Sequence, residues 1–240
     1  MGNILPKYWI WGVLIGIFDK IFFPKLCVMC GKYGGYLCFE CANSIRYIKS
    51  SLCPSCGRLT IQSRFCRKCR RKGDIYLDSI IIGARYDIGP VKKLIYECKY
   101  QGISEITHLL AEIIIQGSSI YPPPDSIITY VPLSRQRQNM RGFNQSALIA
   151  DSVASHFHLP VISLLKRTRN TLPQAQLNKS KRLENIKNAF TCHTDRSVAD
   201  KIIYIIDDVT TTHMTLNECA KMLKLAGAKK VIGLVVAKNI

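Results

Sequence analysis

The chain has 240 residues, 48% of them hydrophobic, which is enough for one sizeable α/β core and a small additional module. Thirty-four basic against sixteen acidic residues leave a net charge of +18, more than solubility alone requires, and favour anionic partners such as nucleotides, nucleic acid or acidic lipid surfaces. Of eleven cysteines, eight form four CxxC pairs within residues 27–69, a pattern that argues against a disulfide scaffold and for tetrahedral zinc in a reducing compartment, the cytoplasm.

Residues 4–23 read as an amphipathic or buried helix leading into the cysteine-rich segment. Within it, Tyr8 to Phe18 (YWIWGVLIGIF) is apolar until Asp19 and Lys20 interrupt. A bilayer span takes about twenty apolar residues, so this run is too short. No small-residue cleavage site follows in FFPKLC, and MGNILP carries Pro6 where a myristoylation signal prefers Ser or Thr. No transmembrane span is expected, and peripheral membrane contact is kept as a secondary reading.

Residues 24–73 form the second unit. Their halves are C-x2-C-x7-C-x2-C (Cys27, Cys30, Cys38, Cys41) and C-x2-C-x9-C-x2-C (Cys53, Cys56, Cys66, Cys69). Each half supplies four thiolates, the full set for one closed structural zinc site, and metal must replace a hydrophobic core in so small a module. Sequential pairing gives two ribbon-like sites with short connections; interleaved pairing satisfies the same count and stays open. The segment ends in a basic stretch, Arg64 to Lys72, that suits nucleic acid or a plain solvated face. The other cysteines, Cys98, Cys192 and Cys219, are expected as buried thiols.

Past Gly73, residues 74–240 change texture. Ser79 to Tyr86 (SIIIGARY) predicts a strand, and Val91 to Tyr100 and Ile103 to Gln116 have helical spacing. Ser126 to Val131 predicts a second strand stopped by Pro132, and Asn144 to Phe157 a helix. Lys201 to Ile206 and Lys230 to Ala237 read as apolar strands of the buried parallel kind, with a helix from Met214 to Ala226 between them, ended by Gly227. Strands alternating with helices imply an α/β domain with a mostly parallel sheet.

The stretch Ile205 to Thr215 (IIDDVTTTHMT) carries the chemistry. It lies at the carboxyl end of a predicted parallel strand and enters a helix N-terminus, where backbone N–H groups favour an anion. Thr211, Thr212 and Thr215 can add hydroxyl donors for a phosphate. Asp207 and Asp208 precede the turn, placed to accept hydrogen bonds from sugar hydroxyls or to face a magnesium ion. The bland alternative is an ordinary βα turn with a capping threonine.

This stretch resembles the phosphoribosyl pyrophosphate (PRPP)-binding motif of type I phosphoribosyltransferases, two acidic residues followed by a TTG-type loop and a helix. The segment Val131 to Ala150 (VPLSRQRQNMRGFNQSALIA), above all Arg141 to Gln145 (RGFNQ), resembles the ComF family signature. So do Lys93 to Gly102 (KLIYECKYQG), FDKIFFPKLCVMC with the CxxC pairs, and Arg167 to Phe190 through Arg167, Thr171, Gln174, Arg182, Asn185 and Phe190. The resemblance covers nearly all of residues 18–240. It implies a type I phosphoribosyltransferase fold behind a double zinc ribbon, and a setting in DNA uptake by competent bacteria, with single-stranded DNA or DNA-uptake proteins as partners.

It also implies roles. Asp207 and Asp208 would bind the PRPP ribose hydroxyls, and Thr210, Thr211, Thr212, His213, Met214 and Thr215 would hold the 5′-phosphate. Ser134, Arg135, Arg137 and Arg141, in a loop after Val131, would face the pyrophosphate, with Mg2+ accompanying PRPP. The basic segment Lys166 to Lys187 would form a hood. The implied reaction displaces pyrophosphate from ribose C1 in favour of an unidentified acceptor, with Asp208 the candidate general base by position. His213 stands where the family has glycine, and Met214 where it has alanine or serine. The imidazole is expected either to point outward or donate a hydrogen bond to the phosphate, leaving binding intact, or to fill the pocket and abolish binding. Two competing readings are a nucleic-acid-binding accessory protein with an inactive transferase core and a regulator that senses PRPP.

Overall fold

The computed structural model describes residues 24–48, 51–71, 73–87, 89–169, 186–193 and 198–238. The helix expected at residues 4–23 and the middle of the expected hood, residues 170–185, lie outside the described residues.

The centre is a four-stranded parallel sheet in the order β1 (Ser79–Arg85), β6 (Lys230–Lys238), β5 (Ile202–Thr210), β2 (Ile127–Tyr130). In β5 the run Ile203 to Ile206 is buried on both faces, as a central parallel strand demands. Period-two alternation sends Tyr204 and Ile206 to one face, where they meet helices α3 (Pro90–Tyr100), α4 (Ile106–Gly117) and α6 (Gln145–Phe157). Ile203 and Ile205 face the other way, onto α7 (Met214–Leu225) and a small antiparallel pair, β3 (Leu165–Arg167) with β4 (Phe190–Cys192). The result is the parallel-sheet α/β class expected. Cys98 and Cys219 are buried as expected, whereas Cys192 is only half-buried.

Four elements differ from expectation. β5 continues to Thr210, because β6 pairs with it that far: Asp207 lies opposite Val235, Val209 opposite Ala237 and Thr210 opposite Lys238. The two aspartates that precede the turn are therefore themselves strand residues. The stretch after Val131 expected as a loop is helix α5 (Arg135–Arg141). Ser134 caps it by accepting the Arg137 N–H at 3.4 Å, and Gly142 ends it in the left-handed region at φ 77°. Strands β3 and β4 hold three residues each, too few for a periodic signal.

Both sheet edges are covered. The Ile48 N–H donates to the Gly83 carbonyl (3.0 Å), the Arg85 N–H to Arg46 (3.0 Å) and the Ile80 N–H to Ser63 (3.3 Å). The cysteine-rich segment thus closes the open side of β1, which would otherwise present unpaired backbone groups. On the far side the Ile128 N–H donates to Pro160 and the Ile162 N–H to Ile128. Two short helices ahead of β1 in the chain, α1 (Phe39–Ala42) and α2 (Arg67–Arg71), hold Cys41 and Cys69, with Cys38 and Cys66 immediately before them.

Helix α4 approaches β1 through two glycines. A Cβ on Gly117 would lie 2.2 Å from the Gly83 carbonyl oxygen, and one on Gly83 would lie 2.7 Å from the Ile113 carbonyl oxygen. Both obstacles are backbone, so neither side can yield without the helix lifting off the sheet. A Gly117→Ala substitution is expected to destabilise the fold by about 1–3 kcal/mol, read as a lowered urea midpoint at unchanged slope. A wild-type midpoint would show that the helix end is free to move.

Candidate functional site

The eight cysteines gather sequentially. Cys27, Cys30, Cys38 and Cys41 form one cluster, and Cys53, Cys56, Cys66 and Cys69 a second, each with all sulfurs within 4.8 Å of one another. Tetrahedral zinc with bonds of about 2.3 Å places its sulfurs about 3.8 Å apart. The Cys30–Cys38 and Cys56–Cys66 separations are 3.6 and 3.7 Å, so the donor set fits zinc in both clusters. Burial opposes ionisation of Cys53, but N–H groups of Cys66, Cys56 and Ser55 aimed at its sulfur bring its pKa down to about 6. Burial and backbone donors act the same way on Cys27, also at about 6. A stabilised thiolate in each cluster is a metal ligand already prepared.

The second site is a cavity of about 240 Å³ at the carboxyl ends of β2 and β5. Asp207, Asp208, Thr211, Thr215, Arg137 and Arg141 line it, as do four polar residues outside the expected ligand set: Lys99, Gln145, Ser146 and Arg167. Asp208 is 4% exposed. Its carboxylate accepts from Lys99 Nζ at 2.7 Å and Gln145 Nε2 at 2.8 Å. Arg141 Nη1 in turn donates to Gln145 Oε1 at 2.9 Å, and its guanidinium lies 5.9 Å from the Tyr100 ring centroid. Asp207 accepts from Ser146 Oγ at 3.2 Å and from the Asp208 N–H at 2.9 Å.

Other expected site residues stand outside the cavity. Arg135 is exposed on α5, and Ser134 is occupied as its cap. Thr210 Oγ1 accepts the His213 N–H at 3.2 Å and so closes the turn, while Thr212 and Met214 do not line the cavity. His213 adopts φ 52°, ψ 4°, the left-handed conformation in which glycine is at ease. Its ring does not line the cavity: it meets Phe65 edge-on at 5.1 Å between centroids, and Nε2 lies 3.5 Å from Ser55 Oγ.

The double zinc ribbon domain family matches residues 18–70. The DNA utilization protein YhgH of Escherichia coli K12 is 32% identical over 222 residues, spanning 87% of this chain and 94% of its own length. This chain belongs to the ComF family. Competence protein F of Haemophilus influenzae is 28% identical over 83% of this chain and 96% of its own, and competence protein ComFC of Bacillus subtilis 27% identical over 78% and 77%. Among solved structures, a B. subtilis glutamine PRPP amidotransferase gives a TM-score of 0.38 at 19% identity over 54% of this chain; the chain spans about a quarter (26%) of that enzyme. A Staphylococcus aureus hypoxanthine phosphoribosyltransferase gives 0.35 at 13% identity, over 56% of this chain and 73% of its own. No helix among the described residues is long and apolar enough to cross a membrane.

Electrostatics separates the two aspartates of this ComF-family chain. Burial would raise the Asp208 pKa, but the Lys99 ammonium and the Gln145 hydrogen bond overcome it and hold the carboxyl below its usual range. Burial, then the neighbouring Asp208 charge, pushes Asp207 up to about 7. Burial, then the nearby Arg141 charge, lowers the Arg137 pKa; burial, then Arg137, does the same at Arg167. Cations that depress one another make a cavity that favours a polyanion.

Asp207 has a stability signature. In the folded chain it keeps its proton between 3.8, its unfolded value, and about 7. The folded state binds more protons in that window, so stability falls as pH rises through it. Asp207→Asn cannot ionise and still presents Oδ1 to Ser146. It is expected to gain on the order of 1–3 kcal/mol over wild type at about pH 8 and almost nothing at about pH 4. Equal effects at both, measured by chemical denaturation, would show that Asp207 is not perturbed.

Proposed function

We propose that this protein binds PRPP with Mg2+ in the cavity at the ends of β2 and β5 and transfers its phosphoribosyl group to an acceptor. The supporting observation is that paired carboxylates, hydroxyls of the helix-entry loop and three arginines line one 240 Å³ space. The carboxylates take the ribose hydroxyls, the loop from Thr211 to Thr215 takes the 5′-phosphate, and Arg137 and Arg141 take the pyrophosphate through forked donors. Arg167 adds a third cation from β3. Magnesium arrives with PRPP, held by substrate oxygens and one or two carboxylates, and supplies charge neutralisation on the leaving group.

In the reaction the bond between ribose C1 and pyrophosphate breaks, and pyrophosphate leaves with the electron pair. The acceptor bonds to C1 and loses a proton. Positive charge develops at C1 beside the carboxylates, and negative charge on the leaving group beside the arginines. Asp208, held ionised by Lys99, suits the electrostatic role. Asp207, whose pKa lies near neutrality, suits proton acceptance better than Asp208 does. We place the protein in the cytoplasm, where thiolate zinc ligands persist, with residues 24–73 as the ribbon module and 74–240 as the transferase-like domain.

A second reading rests on the ribbon. Arg64, Arg67, Lys68, Arg70 and Arg71 are all exposed on and beside α2, a surface suited to the phosphates of single-stranded DNA. An accessory role in DNA uptake would use that face with the transferase core silent, and a PRPP-sensing regulator would use both sites. Peripheral membrane contact is a third use of the same charge.

Calorimetric titration of PRPP with Mg2+ into zinc-loaded protein is expected to give micromolar binding. The Asp207→Asn/Asp208→Asn double variant is expected to lose it. Absence of heat and of any thermal shift in wild type would refute the transferase reading. Salt-dependent DNA affinity that ignores PRPP would then favour the accessory role, and DNA affinity changed by PRPP the regulator.

A further inference from the structure

The second zinc cluster and the loop proposed to hold phosphate are parts of one closed ring of contacts. Thr210 and Lys238 are register partners across β5 and β6. Thr210 Oγ1 accepts the His213 N–H and fixes the start of the loop. The His213 side chain leaves the loop and lies against Ser55 and Phe65. Ser55 sits between the ligands Cys53 and Cys56. Pro54, beside it, accepts from Lys238 Nζ at 2.5 Å, which returns the ring to Thr210. Phe65 is buried and precedes the ligand Cys66, whose own N–H donates to Cys53 Sγ at 3.3 Å. His213 therefore touches both halves of the cluster: the knuckle from Cys53 to Cys56 and the approach to Cys66.

We infer that His213 is a positioning residue that couples metal occupancy of the Cys53/Cys56/Cys66/Cys69 cluster to the conformation of the Thr211–Thr215 loop. The first cluster, Cys27/Cys30/Cys38/Cys41, has no place in this ring. Loss of metal from the second cluster frees the knuckle, removes the surface against which the ring packs, and leaves a histidine held at positive φ without that support. By linkage, whatever fills the loop also holds the metal more tightly. The binding half of this inference rests on the proposed PRPP reading; the structural half does not.

The test is zinc release into a chromogenic chelator, which resolves two sites as two phases. His213→Ala is expected to speed one phase about five-fold or more and to leave the other unchanged. Mg2+ and PRPP are expected to slow that same phase in wild type and to have no effect on it in the variant. His213→Asn, which tolerates the left-handed conformation but cannot reach Phe65, should match Ala and guards against misfolding of the first variant. Unchanged release in both variants, or equal acceleration of both phases, overturns the coupling. If wild type gives no heat with PRPP, the proposed function falls, and the coupling is judged on release from the variants alone.

Discussion

Two carboxylates on consecutive positions of a buried central strand set the terms for everything around them. Alternation sends Asp208 to the face of α3 and α6 and Asp207 to the face of α7. A buried carboxylate left without partners costs several kcal/mol, so each must find donors at that depth. For Asp208 these are Lys99 and Gln145, from the last turn of α3 and the first residue of α6. Asp207 takes its donors from Ser146, the next residue of α6, at the end of the strand, and from the strand's own Asp208 N–H. Gln145 also works in the opposite direction. Its amide oxygen holds Arg141, so one side chain ties the acid to the cation that faces it.

The ribbon module answers a different constraint. It is too small to build its own core, so metal and the edge of the larger sheet replace one. Backbone bonds from residues 46–48 and 63 run directly to β1, and the Tyr47 hydroxyl reaches Gln116 at 2.7 Å. Asn217 on α7 adds a clip, accepting from Tyr76 N–H and donating to the Asp74 carbonyl, both at 2.8 Å. The connection between ribbon and sheet is thus hydrogen-bonded structure, which is why the metal clusters hold a fixed position relative to the cavity.

Much of this was legible in the residues. Buried parallel strands announce themselves as short apolar runs, and the spacing of CxxC pairs fixed the ligand count. What escaped detection has physical reasons. The extension of β5 through Asp207, Asp208 and Thr210 breaks the apolar pattern, because the two aspartates face a cavity and Thr210 closes the turn that follows. Helix α5 is polar apart from an exposed Met140, with no buried residue to give it a stripe; only Ser134 and Gly142 at its ends mark it. Lys99 is one of 34 basic residues, and nothing local separates it from its neighbours. Its distinction is entirely tertiary, a half-buried ammonium 2.7 Å from a carboxylate more than a hundred positions away. The pairing of the clusters, open from spacing, was settled by the folded path.

His213 shows how a departure from a family pattern can be absorbed. Holding a residue with a Cβ in the left-handed region costs about 1–3 kcal/mol, less for histidine than for most. An edge-on aromatic contact returns about 0.5–1.5 kcal/mol. The ring of Phe65 therefore offsets a good part of the strain that replacing glycine introduces. That contact exists only because the second ribbon is docked beside the loop; on a transferase domain without the ribbon the imidazole would have no such surface to meet. At this left-handed position the side chain serves attachment: the turn closed by Thr210 is kept, and the ribbon module has a direct contact with the loop that enters α7.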